Sequence, residues 1–279
     1  MARYLRSMGL ELTGVRNDRT SLAVLDFFPE SQRLVLSALE SQFGRKKKSD
    51  PDQALVETLL FKTRGCAHFT GLAVHGPTSL PPSFGPLPTK DSAAQLKWLH
   101  RVWSELKKKP PPFLPYMQRP AEIYLRHLSP EKFQISDALG ANAAPITARI
   151  CYLAPKLPGP LLEVYPKATL SRVVSSLGLP KSIVRDYLDL NRGLSTRENF
   201  FNLLCKKIPQ LFLYERDTEN LILNISAFYS FLSALNQHLY FMGQCEKPPR
   251  HFPSGATWIA LPSLPIDWER ALSSKVKNP

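Results

Sequence analysis

The residue best placed to do chemistry is Glu163. It stands inside an otherwise apolar run, Leu161-Leu162-Glu163-Val164-Tyr165-Pro166. A carboxylate is costly to bury unless something pairs with it. Glu163 therefore sits either at the mouth of a strand, where a ligand or cation meets it, or on an exposed edge. Cys66 and His68 are close enough to act as a pair of metal ligands, but no second pair accompanies them, and a buried thiol beside a loop histidine is the plainer reading. The remaining chemical signal is charge. Against 23 Asp and Glu the chain sets 36 Lys and Arg, a formal net charge of +13. Such an excess favours polyanions, nucleic acid first and anionic membrane second, unless it only keeps the chain soluble. Part of it is clustered in Arg45-Lys46-Lys47-Lys48 and Lys107-Lys108-Lys109, both in loop-like sequence where basic runs are commonly solvated.

These residues need a scaffold, and 279 residues with 43% hydrophobic content can bury a sizeable core. The pattern predicts strands over 4–13, 21–26 and 33–36, joined so closely that they must be antiparallel neighbours. Ser49-Asp50-Pro51 opens a helix to about residue 61, and 69–77 reads as a buried strand after that crossover. Five prolines between Pro77 and Pro88 exclude a helix interior or a central strand and make a fixed loop at a strand end, where sites gather in α/β sheets. Helices are expected over 93–106, 121–128 and 142–153. The Glu163 strand follows, then helices near 169–177, 182–188 and 196–206, with Ser182 and Ser195 as caps. The clearest element is a helix whose apolar residues Ile225, Phe228, Leu232, Leu235, Leu239 and Met242 are spaced alternately by three and four, one stripe facing the core. Trp258-Ile259-Ala260-Leu261-Pro262 reads as a short packing strand or extended plug. The four cysteines show neither CxxC spacing nor a disulfide framework, which fits a reducing cytoplasm. No stretch approaches 18 apolar residues, so no membrane partner is expected.

Six short stretches, taken in order, resemble one family. Gly9-Leu10-Glu11-Leu12-Thr13 is similar to its first-strand Gly-hydrophobic-Asp-x-Thr element. The stretch Leu72-Ala73-Val74-His75-Gly76-Pro77-Thr78-Ser79-Leu80-Pro81 is similar to its fourth-strand Asp-x-Pro-x-x-Leu-Pro element. Gln118-Arg119-Pro120-Ala121-Glu122 resembles its Gln-Arg-x-x-Glu, and Glu163-Val164-Tyr165-Pro166 its Glu-Val-Tyr-Pro. Ser226-Ala227-Phe228-Tyr229-Ser230-Phe231-Leu232 resembles an Asp-Ala-Phe-Asp-Ala-Leu helix with both acids missing, and Trp258 to Pro262 a terminal Trp-Ile-x-Leu-Pro. Together, over nearly the whole chain, they resemble the domain-of-unknown-function family numbered 429, described as predicted nucleases. The resemblance implies an α/β, ribonuclease-H-like fold: a mixed five-stranded sheet flanked by helices, with a helical insertion between strands 4 and 5. One domain would span 1–270, with the insertion at about 90–158 and a flexible tail over 271–279.

The resemblance also implies metal-dependent phosphodiester hydrolysis, with carboxylates holding Mg²⁺ or Mn²⁺ between the attacking and leaving oxygens. Glu11, Glu122, Glu163 and His75 then occupy the catalytic positions, with Glu11 and Glu163 as the metal ligands if the protein is active. Arg119, Lys46, Lys47 and Lys48 are the candidate nucleic-acid contacts. Three departures weaken the acidic set: His75, Ser226 and Tyr229 stand where the family has acids. A nucleic-acid-binding protein with weak or lost hydrolysis is the leading expectation. The alternatives are an active metal-dependent nuclease using Glu11, Glu122 and Glu163, and a non-catalytic partner-binding protein. Structural roles stand beside each functional one. Glu163 pairs with Arg119 or Arg149, Arg119 with Glu122 across one helical turn, His75 is a hydrogen-bonded histidine at a strand end, and the Tyr229 ring plugs the emptied metal pocket.

Overall fold

The structure is a computed structural model; the residues it describes are 4–14, 19–41, 43, 50–64, 68–84, 89–106 and 113–273. The chain opens with an antiparallel meander of β1 (Leu5–Glu11), β2 (Ser21–Phe28) and β3 (Arg33–Ser41). The third strand is longer than its Leu-Val-Leu core announces, because residues 37–41 continue the pairing past a bulge opposite β2. Helix α1 (Pro51–Thr63) starts where Asp50 accepts the Asp52 backbone N–H and Pro51 enters the first turn. It crosses to β4 (His68–His75), which runs parallel to β1. Between β4 and β5 (Leu161–Val164) lie α2 (Lys90–Glu105), α3 (Pro120–Ile123) continuing into a π-helical turn at Tyr124–Leu128, and α4 (Ala143–Leu153). Beyond β5, which is parallel to β4, come α5 (Pro166–Ser176), α6 (Ser182–Asp186), α7 (Gly193–Lys207), β6 (Leu211–Phe212), α8 (Glu215–Leu223), α9 (Ile225–Phe241) and α10 (Trp268–Ala271).

The result is a mixed α/β molecule with one six-stranded sheet in the order β5-β4-β1-β2-β3-β6. A five-stranded sheet was the expectation. The sixth strand is two residues paired with Leu34 and Val35, too short to leave an alternating pattern. Both faces are covered. Ala23, Leu25, Phe27 and Leu36 meet Leu170, Phe201, Phe228 and Phe231 on one side. Met8, Leu10, Val24 and Leu72 meet Leu55, Leu59, Ile150 and Leu153 on the other. Helix α9 lies across β1, β2 and β4. A Cβ at Gly9 would come within 2.1 Å of the Ala234 nitrogen and 2.3 Å of the Ser230 oxygen, so only glycine lets this helix approach the central strand.

Three local expectations are corrected. Lys181 and Arg192, not Ser182 and Ser195, precede the first turns of α6 and α7, and Ser195 donates to the Arg192 carbonyl instead. Helix α8 adds an element that was not expected, with the acids Glu215 and Asp217 in its first turn and Leu221 buried. The tail expected over 271–279 does not include Ala271 and Leu272, which are buried in the core, with His238 Nε2 meeting the Ala271 carbonyl at 2.9 Å; residues 274–279 lie outside the described residues.

Candidate functional site

The carboxyl ends of β1, β4 and β5 bring the chemical residues together, and sheet register decides which face each one takes. Glu11 is paired with His75 between β1 and β4, and His75 with Val164 between β4 and β5. Glu163 is paired with Val74. Paired residues share a face and successive residues alternate. Glu11 and His75 therefore project toward α9, whereas Glu163 projects to the opposite face, toward the insertion.

On the α9 face, His75 Nδ1 and Glu11 Oε2 are 2.6 Å apart. Burial would lower the pKa of His75, but the adjacent Glu11 carboxylate, with Glu163 adding to it, raises it above its ordinary value. The imidazolium is favoured, leaving Nδ1 as the donor to Glu11. The ring lies 5.4 Å from that of Tyr229, edge-on, and 6.0 Å from that of Tyr165. The Tyr229 hydroxyl is 3.0 Å from the Tyr187 hydroxyl, and the Tyr165 hydroxyl donates to the Gln134 carbonyl at 2.7 Å. Burial pushes the Tyr165 and Tyr229 phenols up to about 12, so both are neutral. Ser226, three residues before Tyr229, is buried and is not among the residues lining the pocket described below.

On the insertion face Arg119 is the hub. Its Nη1 donates to Glu163 Oε2 at 2.9 Å and its Nη2 to Glu163 Oε1 at 2.5 Å. Its Nε donates to Glu122 Oε1 at 2.7 Å, its Nη2 donates to the same oxygen, and its backbone N–H donates to Glu122 Oε2 at 2.7 Å. Nη1 also reaches Ser79 Oγ at 3.1 Å. Glu163 Oε2 further accepts the Thr78 backbone N–H at 2.8 Å and its hydroxyl at 3.0 Å. All three charged side chains are at least nine-tenths buried. Burial alone would lower the pKa of Arg119, but Glu163 and Glu122 together hold it above its ordinary value. Glu122 must share that guanidinium with Glu163, so burial outweighs the pull of Arg119 and pushes its carboxyl up to about 7. Arg149, the other partner considered for Glu163, instead grips Asp52 and the Thr13 carbonyl.

Between the two faces lies a pocket of about 250 Å³, lined by His75, Arg119, Glu122, Glu163, Tyr165 and Tyr229 together with Asn142, Ser136 and Ile146. A pair of divalent ions needs free carboxylate oxygens that converge. Here Glu11 is held by His75 on one face, while Glu122 and Glu163 are held by Arg119 on the other. Among the described residues no group of three His, Cys, Asp or Glu side chains is arranged to hold a metal ion. The donor set does not fit Mg²⁺ or Mn²⁺. Nor does Arg119 present a free N–H fork to a phosphate. Lys46, Lys47 and Lys48, the second basic run and Cys66 lie outside the described residues.

Sequence reasoning overlooked Thr78, Tyr187 and Asn142. Thr78 had a signal, its place in the loop just after β4; Tyr187, at the end of the five-residue helix α6, had none. Among the described residues no helix is long and apolar enough to cross a membrane. Comparison with known proteins returns no match to any family model, curated protein or solved structure.

Proposed function

We propose that the chain is a ribonuclease-H-like protein that binds nucleic acid at a site no longer built for hydrolysis. The observation that carries this reading is the guanidinium of Arg119, which fills the space between Glu122 and Glu163 that a cation would need. Three supports stand beside it. The antiparallel meander, the helix crossing to β4 and the helical insertion before β5 suit the chain order of elements that the resemblance implies. The carboxylates Glu11 and Glu163 belong to opposite faces of the sheet. The net charge of +13 suits a polyanionic partner.

The test is incubation of labelled single- and double-stranded DNA and RNA with Mg²⁺, Mn²⁺ or EDTA, with binding followed in the same samples across a salt series. The expected result is intact substrate and binding that weakens steeply with salt. Metal-dependent cleavage that disappears in Glu11→Gln would overturn the loss of hydrolysis. Absence of binding even at low salt would overturn the nucleic-acid reading.

A further inference from the structure

The pocket beside the charge cluster has features that the charge cluster does not explain. Its acids and its arginine are bonded to one another, so they offer an incoming ligand little. What remains is aromatic surface and unspent polar atoms. Tyr229 and Tyr165 flank His75, and Ile146 of α4 adds apolar surface. Asn142 precedes α4, yet its side chain caps nothing. Among the described residues neither its amide nor the Ser136 hydroxyl has a hydrogen-bond partner. His75 uses only Nδ1 on Glu11, and its side chain is 26% exposed. A volume of about 250 Å³ lies just below the range of pockets that take drug-sized ligands. It suits something smaller, planar and polar at its edge.

We infer that this pocket accepts one unstacked nucleobase, from a single strand or from a free nucleotide. The inference rests on the nucleic-acid reading above. A base is the part of a polyanion that offers both a π-face and an edge of donors and acceptors, matching the tyrosine rings and the free carboxamide. Within a duplex that edge and face are already engaged, and extracting the base costs several kcal/mol of stacking and pairing. His75 lines the same space and spends Nδ1 on Glu11, which leaves Nε2 for a flanking phosphate oxygen.

The test compares fluorescence titrations of a labelled single strand, the duplex of equal length and a nucleoside monophosphate, using the wild type, Asn142→Ala and Ser136→Trp. Both variants change exposed residues without a hydrogen-bond partner, so folding is preserved. The expected result is single-strand binding at least about tenfold tighter than duplex binding, reduced about tenfold in either variant while duplex binding is unchanged. A nucleoside monophosphate that binds the wild type and not the variants, with no strand binding, supports the base pocket and overturns the strand as its source. Equal binding of single strand and duplex, untouched by both variants, overturns this inference and leaves the nucleic-acid reading standing. No binding of any probe at low salt overturns both.

Discussion

A guanidinium can serve two carboxylates at once because its N–H groups are fixed in a planar fork. Arg119 uses that geometry fully, with Nη1 and Nη2 on Glu163 and Nε and Nη2 on Glu122. Buried charges of this kind contribute little over an apolar replacement of the whole set, but removing one partner leaves the others uncompensated. Arg119→Met is expected to cost about 3–5 kcal/mol in urea unfolding, with Arg119→Lys recovering only part of it. Adding Glu122→Gln and Glu163→Gln to Arg119→Met restores much of the loss. A single Arg119→Met variant as stable as the parent would show that the cluster is not coupled. How far this was legible differs by pair. The spacing of Arg119 and Glu122 exposes their contact directly, because residues three apart share a helix face. The choice of Arg119 over Arg149 for Glu163 was not legible, since it depends on α4 turning Arg149 toward Asp52 on α1. The Glu11–His75 contact was hidden for a related reason. It follows from the parallel register of β1 and β4, which are separated in sequence by two strands and a helix.

At the scale of elements, the contact between α9 and the sheet places the site. Tyr229 reaches His75 only because α9 lies close across β1, and that closeness depends on Gly9. The atoms a Cβ would strike, the Ala234 nitrogen and the Ser230 oxygen, are backbone and cannot swing aside. Gly9→Ala is therefore expected to lower stability by about 1–3 kcal/mol through overpacking and to weaken the packing of Tyr229 on His75. Thermal unfolding checks the first effect, and the histidine and tyrosine ring resonances check the second. An unchanged melting temperature would mean that α9 sits further from the strand than described. The period of α9 was plain in the sequence, but its burial was not. Ser230, Ser233, Asn236 and Gln237, off the expected stripe, are buried as well, since the helix is covered by the sheet on one side and by α5 and α8 on another. The serines there bond carbonyls of their own helix, and the amides reach neighbouring elements. Ser230 Oγ donates to the Ala227 carbonyl, and Asn236 Nδ2 to Thr169 Oγ1 and the Ala260 carbonyl. A hydrophobicity pattern reads such residues as solvent-facing, which is why one stripe stood for a helix buried almost all round.

For the molecule as a whole, the buried titratable groups set a pH dependence whose sign can be worked out. Glu122 is raised from 4.5 to about 7 by burial, so the stability it contributes is present below 4.5 and is lost as pH climbs to about 7. His238 is lowered from 6.5 to about 4 by burial, so its contribution is present above 6.5 and is lost as pH falls toward 4. Between 4.5 and 6.5 these two slopes oppose each other. His75 breaks the balance. Its pKa lies above 6.5, so its contribution is present below that value and is lost as pH rises through the folded pKa. Above pH 6.5, His75 and the last part of the Glu122 titration therefore act in the same direction. The melting temperature should fall as the pH rises above 6.5. His75→Gln removes the imidazolium and should flatten the profile on its alkaline side, while His238→Gln alters only the acid side. A stability that rises above pH 6.5, or an alkaline slope unchanged in His75→Gln, would mean that Glu11 does not hold a charged imidazole, and the ion pair at the mouth of β4 would have to be abandoned.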